Sequence, residues 1–241
     1  MKAAPLLVCA ATPMELHAVA ASNSAAREIL GTLDEAARPF ALSPDGQTAF
    51  LLTGVGIPCA LARLFVHARG PFRLALNVGI AGAYPQSGLE IGDLVVADGE
   101  TFADVGFETP GDPPGFESFA RSLLGEAFYG PVLPTVAPAE FLPRLPFDAP
   151  YRVHIGLRGA TVNACTGTHA TGARRADLTG AAFESMEGAA VALWGTLTNP
   201  PTPVCEIRAI SNVAAERDMR PENIRLALDN LAHYLAAACR P

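Results

Sequence analysis

Charge is scarce in this chain. Only 17% of its 241 residues are Asp, Glu, Lys or Arg, and acidic residues outnumber basic ones 24 to 17. The formal net charge is −7, and no cluster of Lys and Arg stands out. That excludes the basic footprint of a nucleic-acid binder and of a protein held to anionic membranes. Cysteine is sparse too. The five residues, Cys9, Cys59, Cys165, Cys205 and Cys239, form no C-x-x-C pair and are odd in number. Buried thiols in a reducing compartment fit that pattern better than a disulfide framework or a zinc site. No apolar run reaches the roughly 20 residues needed to span a bilayer. Residues 6–11 are apolar, but Glu15 and His17 follow too soon for a signal peptide, so a first buried strand is expected. Repeats, heptads and low-complexity blocks are missing. The histidines (His17, His67, His154, His169, His233) are scattered and give no Ser-His-Asp order. These absences leave a cytoplasmic protein without nucleic-acid or membrane partners.

What is present is apolar. Half of the residues are hydrophobic, enough for one sizeable core, and residues 1–241 are expected to form a single domain. Strand-like runs at 6–11, 49–52, 73–77, 93–97, 153–163, 181–183 and 203–210 alternate with a helix opening at 14–16 and helical stretches at 60–68, after the 166–168 turn to 176, at 188–197 and at 222–239. Pro44-Asp45-Gly46 is expected to close a hairpin. Residues 109–116 read as a surface excursion or lid, 117–128 as an amphipathic helix, and 139–144 as a short helix. The alternation predicts an α/β fold: a three-layer α/β/α sandwich around a mixed, mostly parallel sheet.

Carboxylates and glycines gather where strands end. Glu15 follows the first strand. Thr53-Gly54-Val55-Gly56 and Val78-Gly79-Ile80-Ala81-Gly82 follow two others, matching neither the dinucleotide fingerprint nor the Walker spacing. Glu100 and Asp104 lie past the fourth strand. Glu184 and Glu187 stand between a short strand and the helix that starts at Gly188. A Glu there can serve a ligand or simply complement the helix dipole. The residues alone point to a small-molecule site of carboxylates and glycine backbone, at the carboxyl ends of strands.

Six stretches then carry a resemblance. Ala11-Thr12-Pro13-Met14-Glu15, Thr53-Gly54-Val55-Gly56, Asn77-Val78-Gly79-Ile80-Ala81-Gly82, Gly92-Asp93-Leu94-Val95-Val96, Ser185-Met186-Glu187-Gly188-Ala189-Ala190 and Arg208-Ala209-Ile210-Ser211-Asn212-Val213 occur in this order over nearly the whole chain. Together they resemble the nucleoside phosphorylase/nucleosidase superfamily, of the type represented by methylthioadenosine/S-adenosylhomocysteine nucleosidase. Within it, Glu100-Thr101-Phe102-Ala103-Asp104-Val105-Gly106, Asn212 and Arg217-Asp218 make the chain most similar to the futalosine hydrolases. The resemblance implies hydrolysis of a purine nucleoside, with water as nucleophile and no cofactor or metal. It also implies a homo-oligomer, a dimer or larger.

Carried over position by position, the resemblance makes Glu15 the base that activates water and Glu187 the group that grips the ribose hydroxyls. Met186 would pack on the sugar, and Ile80, Ala81 and Gly82 would approach sugar and base. Asn163 and Cys165 fall on the base-binding segment, with Ser211 beside Asn212. Phe102 is a candidate for stacking on the base, and Arg217 for holding a benzoate-bearing tail. Adenine-specific nucleosidases have an Asp where this chain has Asn212. A carboxylate accepts from a 6-amino group but repels a 6-oxo group, whereas an amide both donates and accepts. Asn212 therefore favours a hypoxanthine base, and with it an inosine-like substrate. No Arg lies near residues 11–17 to bind phosphate, and Arg63 reads as a surface residue. Three alternatives stay open: methylthioadenosine cleavage, phosphorolysis, and a nucleoside-binding or storage protein of the same fold.

Overall fold

The computed structural model describes residues 4–20, 24–112, 114–118, 131–142, 149–215 and 219–238. β1 (Leu6–Ala10) ends at Thr12-Pro13, and α1 (Pro13–Ala20) begins with proline at a position whose N–H needs no helical partner. α2 (Ser24–Leu30) follows. β2 (Phe40–Leu42) and β3 (Thr48–Leu52) then form the expected hairpin, with Gly46 at φ 72° donating its N–H to the Ser43 carbonyl. α3 (Ile57–His67), β4 (Leu74–Ala83) and β5 (Leu94–Phe102) come next. After them stand β6 (Gly106–Thr109), β7 (Gly115–Ser118), the two-residue β8 (Leu133–Pro134), a 3-10 turn at Ala139–Phe141 and β9 (Val153–Thr161). α4 (His169–Thr179), β10 (Phe183–Ser185), α5 (Gly188–Leu197), β11 (Val204–Val213) and α6 (Pro221–Ala238) complete the described chain. The Thr168 hydroxyl caps α4 by accepting from Thr171 N–H, and Gly180 in the left-handed region ends it.

The central sheet runs β10-β9-β5-β11-β4-β1-β3-β2, with β8 on β5. It is mixed, as expected. β1–β3, β1–β4, β4–β11, β5–β9 and β9–β10 pair in parallel, and β11–β5, β10–β4, β2–β3 and β5–β8 antiparallel. One pairing bends the sheet into a ring. β10 lies parallel to β9 and antiparallel to β4, through Phe183 opposite Ala83 and Glu184 opposite Gly82. β4, β11, β5, β9 and β10 thus close on themselves, and β1, β3 and β2 continue outward from β4.

Helices cover both faces, and the two-residue alternation of the strands sorts the core. On β1, Val8 and Ala10 face Leu16 of α1, Ile29 of α2 and Leu231 of α6. Leu7 and Cys9 face the other way, toward Leu64 of α3 and Trp194 of α5. α5 is apolar all round because it is buried from Gly188 to Gly195.

Several strands outrun their expected limits. β4 continues through Gly79 and Gly82 to Ala83, so this glycine cluster lies inside a strand instead of forming a turn after it. β11 includes Ser211 and Asn212, with a bulge between Ile210 and Asn212. Where the surface excursion or lid was expected, Thr109 pairs with Gly115 and Glu108 with Phe116 at the end of the β6–β7 hairpin. Glu117 and Ser118 belong to β7, not to a helix, and the rest of the expected helix at 119–128 lies outside the described residues. The helix expected over 139–144 is a single 3-10 turn as far as it is described.

Candidate active site

A cavity of about 240 Å³ opens where β1, β4, β10 and β11 end and α1, α5 and α6 begin or pass. Glu15 enters it from the first turn of α1, only 6% exposed. Its Oε1 accepts from Ile80 N–H at 3.0 Å. Its Oε2 accepts from Thr12 N–H at 3.0 Å and from the Thr12 hydroxyl at 2.9 Å. The carboxylate is therefore fixed across the mouth of β4. A Cβ at Gly79 would collide with Glu15 Oε1 and Arg208 Nη1. Glycine stands there to leave room for side chains, since its backbone is ordinary strand.

Glu187 caps the start of α5 by position, but its side chain turns into the cavity. Oε1 accepts from Gly56 N–H at 3.0 Å, and Oε2 lies 3.7 Å from Arg208 Nη1. The Gly54-Val55-Gly56 turn, with φ of 71° at Gly54 and 91° at Gly56, thus serves to hold Glu187. Burial pushes the Glu187 carboxyl up to about 7, Arg208 and the Gly56 N–H pull it down, and Glu15 and Glu206 raise it further. Arg208 is 1% exposed. Its Nε donates to Glu206 Oε1 at 2.7 Å. Burial works against this guanidinium's charge, but Glu206, Glu187 and Glu15 outweigh it and hold the cation firmly.

On the far wall, the Asn212 Oδ1 accepts from the Ser211 hydroxyl at 3.0 Å, and its Nδ2 donates to the Val213 carbonyl at 3.2 Å. A Cβ at Gly82 would press on that amide, 3.1 Å from Nδ2. Met14, Val55, Met219, Ile224 and Leu228 give the cavity an apolar side. Among the described residues, no group of three or more His, Cys, Asp or Glu side chains is placed to hold a metal ion. A pocket lined by three carboxylates (Glu15, Glu184 and Glu187), an amide and an apolar wall can orient a sugar and a flat base and can deprotonate a water.

A family profile described as the phosphorylase superfamily matches residues 5–240. This chain belongs to that superfamily. The superfamily member shares 34% identity over 184 residues with a futalosine hydrolase of Thermus thermophilus, covering 76% of this chain and 77% of that protein. A futalosine hydrolase of Acidothermus cellulolyticus is 35% identical over 172 residues, covering 70% of this chain and 66% of that protein. The solved structure of native futalosine hydrolase of Helicobacter pylori strain 26695 superposes with a TM-score of 0.71 at 17% identity, covering 98% of this chain and 97% of the other. That likeness shows the shared fold.

In this superfamily member, Glu15, Glu187, Met186, Ile80, Ala81, Gly82, Ser211 and Asn212 all reach the one cavity. Two of the expected residues do not. Phe102 is 5% exposed and packs in the core with Ile57, Leu133 and Ala189. The register of β5 turns its ring toward α3 and α5. Asn163 is occupied by Asp104, which accepts from its N–H at 2.7 Å and its Nδ2 at 3.0 Å. Val162, Cys165 and Thr166 of the same segment line the cavity instead. Glu184 accepts from Thr166 N–H at 2.8 Å and the Thr166 hydroxyl at 2.5 Å, which fixes that segment. Glu100 is not at a strand end but fully buried within β5. Arg63 is partly exposed and does not line the cavity, as expected, but its guanidinium is tied down: it donates to the Leu52 carbonyl at 3.0 Å and the Glu35 carbonyl at 2.7 Å. Arg217 and Asp218 lie outside the described residues.

The residues that sequence reasoning missed are Arg208 and Glu206. Their signal was there: two opposite charges two positions apart in an otherwise apolar strand must share one buried face.

Proposed function

We propose that this protein hydrolyses the N-glycosidic bond of futalosine, releasing hypoxanthine and dehypoxanthine futalosine, as a step of menaquinone biosynthesis. One observation carries the reading: a neutral amide, Asn212, shares a cavity with Glu15 and Glu187. The similarity to two futalosine hydrolases supports it.

Glu15 removes a proton from water as the water attacks the anomeric carbon. The Thr12 and Ile80 donors keep its carboxylate aimed while charge changes. Glu187 accepts from the ribose hydroxyls, and Met186 packs on the sugar. As the bond lengthens, the sugar gains oxocarbenium character, and nearby carboxylates favour that positive charge. Asn212 donates to the departing purine and pairs with its 6-oxo edge, with Ser211 orienting the amide. Arg208 holds Glu187 in place from below.

The enzyme works in the cytoplasm as a homo-oligomer. Supporting the first, none of the four described cysteines forms a disulfide, and although Cys9 and Cys205 are buried as expected, Cys59 and Cys165 are exposed. No helix among the described residues is long and apolar enough to cross a membrane. Supporting the second, Met14 and Val55 are apolar, 60% and 49% exposed, and stand at the cavity. Sedimentation of the purified protein should give a dimer or larger; a monomer would refute it.

The decisive assay measures free base from futalosine, inosine and methylthioadenosine, each with and without phosphate. Futalosine should be cleaved fastest and without phosphate. Cleavage only with phosphate would sink the hydrolase reading, and a preference for methylthioadenosine would sink the role of Asn212.

A further inference from the structure

Below the cavity floor lies a group of charges that the mechanism above leaves unused. Glu100 of β5 and Glu206 of β11 are both fully buried. Around them the fold has made space with glycine. The point where a Gly188 Cβ would stand is 2.6 Å from Glu100 Oε1 and 2.6 Å from Glu206 Oε1. A Cβ at Gly159 would overlap Glu100 Oε1 as well. The two carboxyl groups therefore share one small enclosure between β5, β9, β11 and the start of α5.

Each group is held on one side only. Glu100 Oε2 accepts from the Thr161 hydroxyl at 2.7 Å, and that hydroxyl in turn accepts from Ala189 N–H at 2.6 Å. With its hydrogen spent on Glu100, Thr161 fixes Oε2 as an acceptor. Glu206 Oε1 accepts from Arg208 Nε at 2.7 Å and from Asn77 Nδ2 at 3.2 Å. The outer atoms, Glu100 Oε1 and Glu206 Oε2, have no donor to satisfy them. Two ionised carboxylates are acceptors only and cannot satisfy one another; one proton between them can.

The charge balance points the same way. Facing Glu100 are Glu206 and Arg208 from β11 and, beyond β4, the Tyr84 hydroxyl, which is uncharged, while Glu187 from the start of α5 and Glu15 from α1 act on Arg208 from the cavity side. Arg208 is the single cation among these groups.

We propose that Glu100 stands as a neutral carboxylic acid in the working enzyme and donates its hydrogen to Glu206, which makes it a positioning residue for Glu187. The chain of action runs through Glu206 and Arg208. A Glu206 that already receives a hydrogen bond from Glu100 draws less on Arg208, leaving the free end of the guanidinium directed at Glu187. Without that donor, Glu206 claims more of the cation and Glu187 holds its proton more tightly. Burial, and then the neighbouring Glu206, push the Glu100 carboxyl well above the usual carboxylate range, against weaker opposing pulls from Thr161 and Arg208.

Only the kinetic part rests on Glu187 acting as the ribose clamp; the proton itself is measured without substrate. The infrared difference between wild type and Glu100→Gln at pH 8 should contain the carbonyl stretch of one neutral carboxylic acid. Gln imitates the acid: its carbonyl accepts from Thr161 and its N–H donates to Glu206. Glu100→Gln should therefore leave the acid limb of kcat/KM where wild type has it. Glu100→Leu, which cannot donate, should move that limb upward by roughly half a pH unit or more. Absence of the band, or a downward shift in Glu100→Gln, would mean that Glu100 is ionised and would overturn the proposal. If the Leu variant fails to fold, the band and the Gln profile decide. If futalosine is not a substrate, the band still tests Glu100, and only the functional reading falls.

Discussion

At the scale of single residues, the proposed mechanism gives three side chains separate tasks. Glu15 accepts from a backbone N–H on each oxygen, Ile80 on one and Thr12 on the other, so a Gln in its place keeps only one of those two bonds and turns its NH2 toward the other donor. Glu15→Gln should bind substrate with little change yet lose roughly 10²- to 10⁴-fold in kcat, the usual range for a lost general base. Full activity in that variant would remove Glu15 from the mechanism. Glu187, with its carboxyl pushed up to about 7, is protonated below that pH and ionised above it. An acceptor for two hydroxyls is best ionised, so kcat/KM should fall as pH drops through about 7, as a pH–rate profile would reveal. A profile flat down to pH 5 would contradict this. Asn212→Asp should reverse the base preference, weakening cleavage of 6-oxopurine nucleosides by about tenfold or more and improving 6-aminopurine ones. The physical basis is the repulsion between a carboxylate and an oxo group, worth about 1.4 kcal/mol per tenfold.

At the scale of elements, the site is made by strands that leave room and helices that supply charge. Gly79 lies in regular strand, and a methyl there would strike Glu15 and Arg208. Gly79→Ala should lower kcat/KM by at least tenfold while costing less in stability than a core truncation. Unchanged kinetics would show that the Glu15–Arg208 geometry is not constrained by β4. By contrast, α5 is held by its apolar surface. Trp194 is 1% exposed and packs against Phe72 with ring centroids 6.2 Å apart. Trp194→Ala should cost about 3–5 kcal/mol in a denaturant titration, without affecting base preference. α1, α5 and α6 were legible because their apolar positions are frequent and Pro13 and Pro221 mark two of the starts, whereas α2 (Ser24–Leu30) was not expected and Glu117–Ser118 proved to be strand. The strand ends at β4 and β11 were not. Gly, Ser and Asn read as turn residues, yet the pairing of β4 with β11 over Val204–Val213 keeps them extended.

At the scale of the whole molecule, folding brings distant segments around one buried cation. Arg208 sits 2.7 Å from Glu206 and 3.7 Å from Glu187, and its Nη1 fills the space over Gly79 beside Glu15. Removing it would leave those carboxylates uncompensated. Arg208→Met should be strongly destabilising, by about 3–5 kcal/mol at neutral pH, and the deficit should shrink as pH falls and carboxylates take up protons. A variant as stable as wild type at pH 7 would show that the charges are better hydrated than their burial implies.

The sequence by itself determined the alternation of strands and helices, the α/β class, and the identity of Glu15, Glu187 and Asn212 as the residues to watch. These follow from local pattern and from motifs kept in order along the chain. Only the tertiary structure decided which of them meet. β10 must pair with both β4 and β9 to close the ring, and neither pairing can be read from three residues. Register sent Phe102 into the core and gave Asn163 to Asp104. It also buried Glu100, Glu206 and Arg208 together. A charged residue in a sequence is expected at the surface, and only the neighbours supplied by distant segments make its burial tolerable.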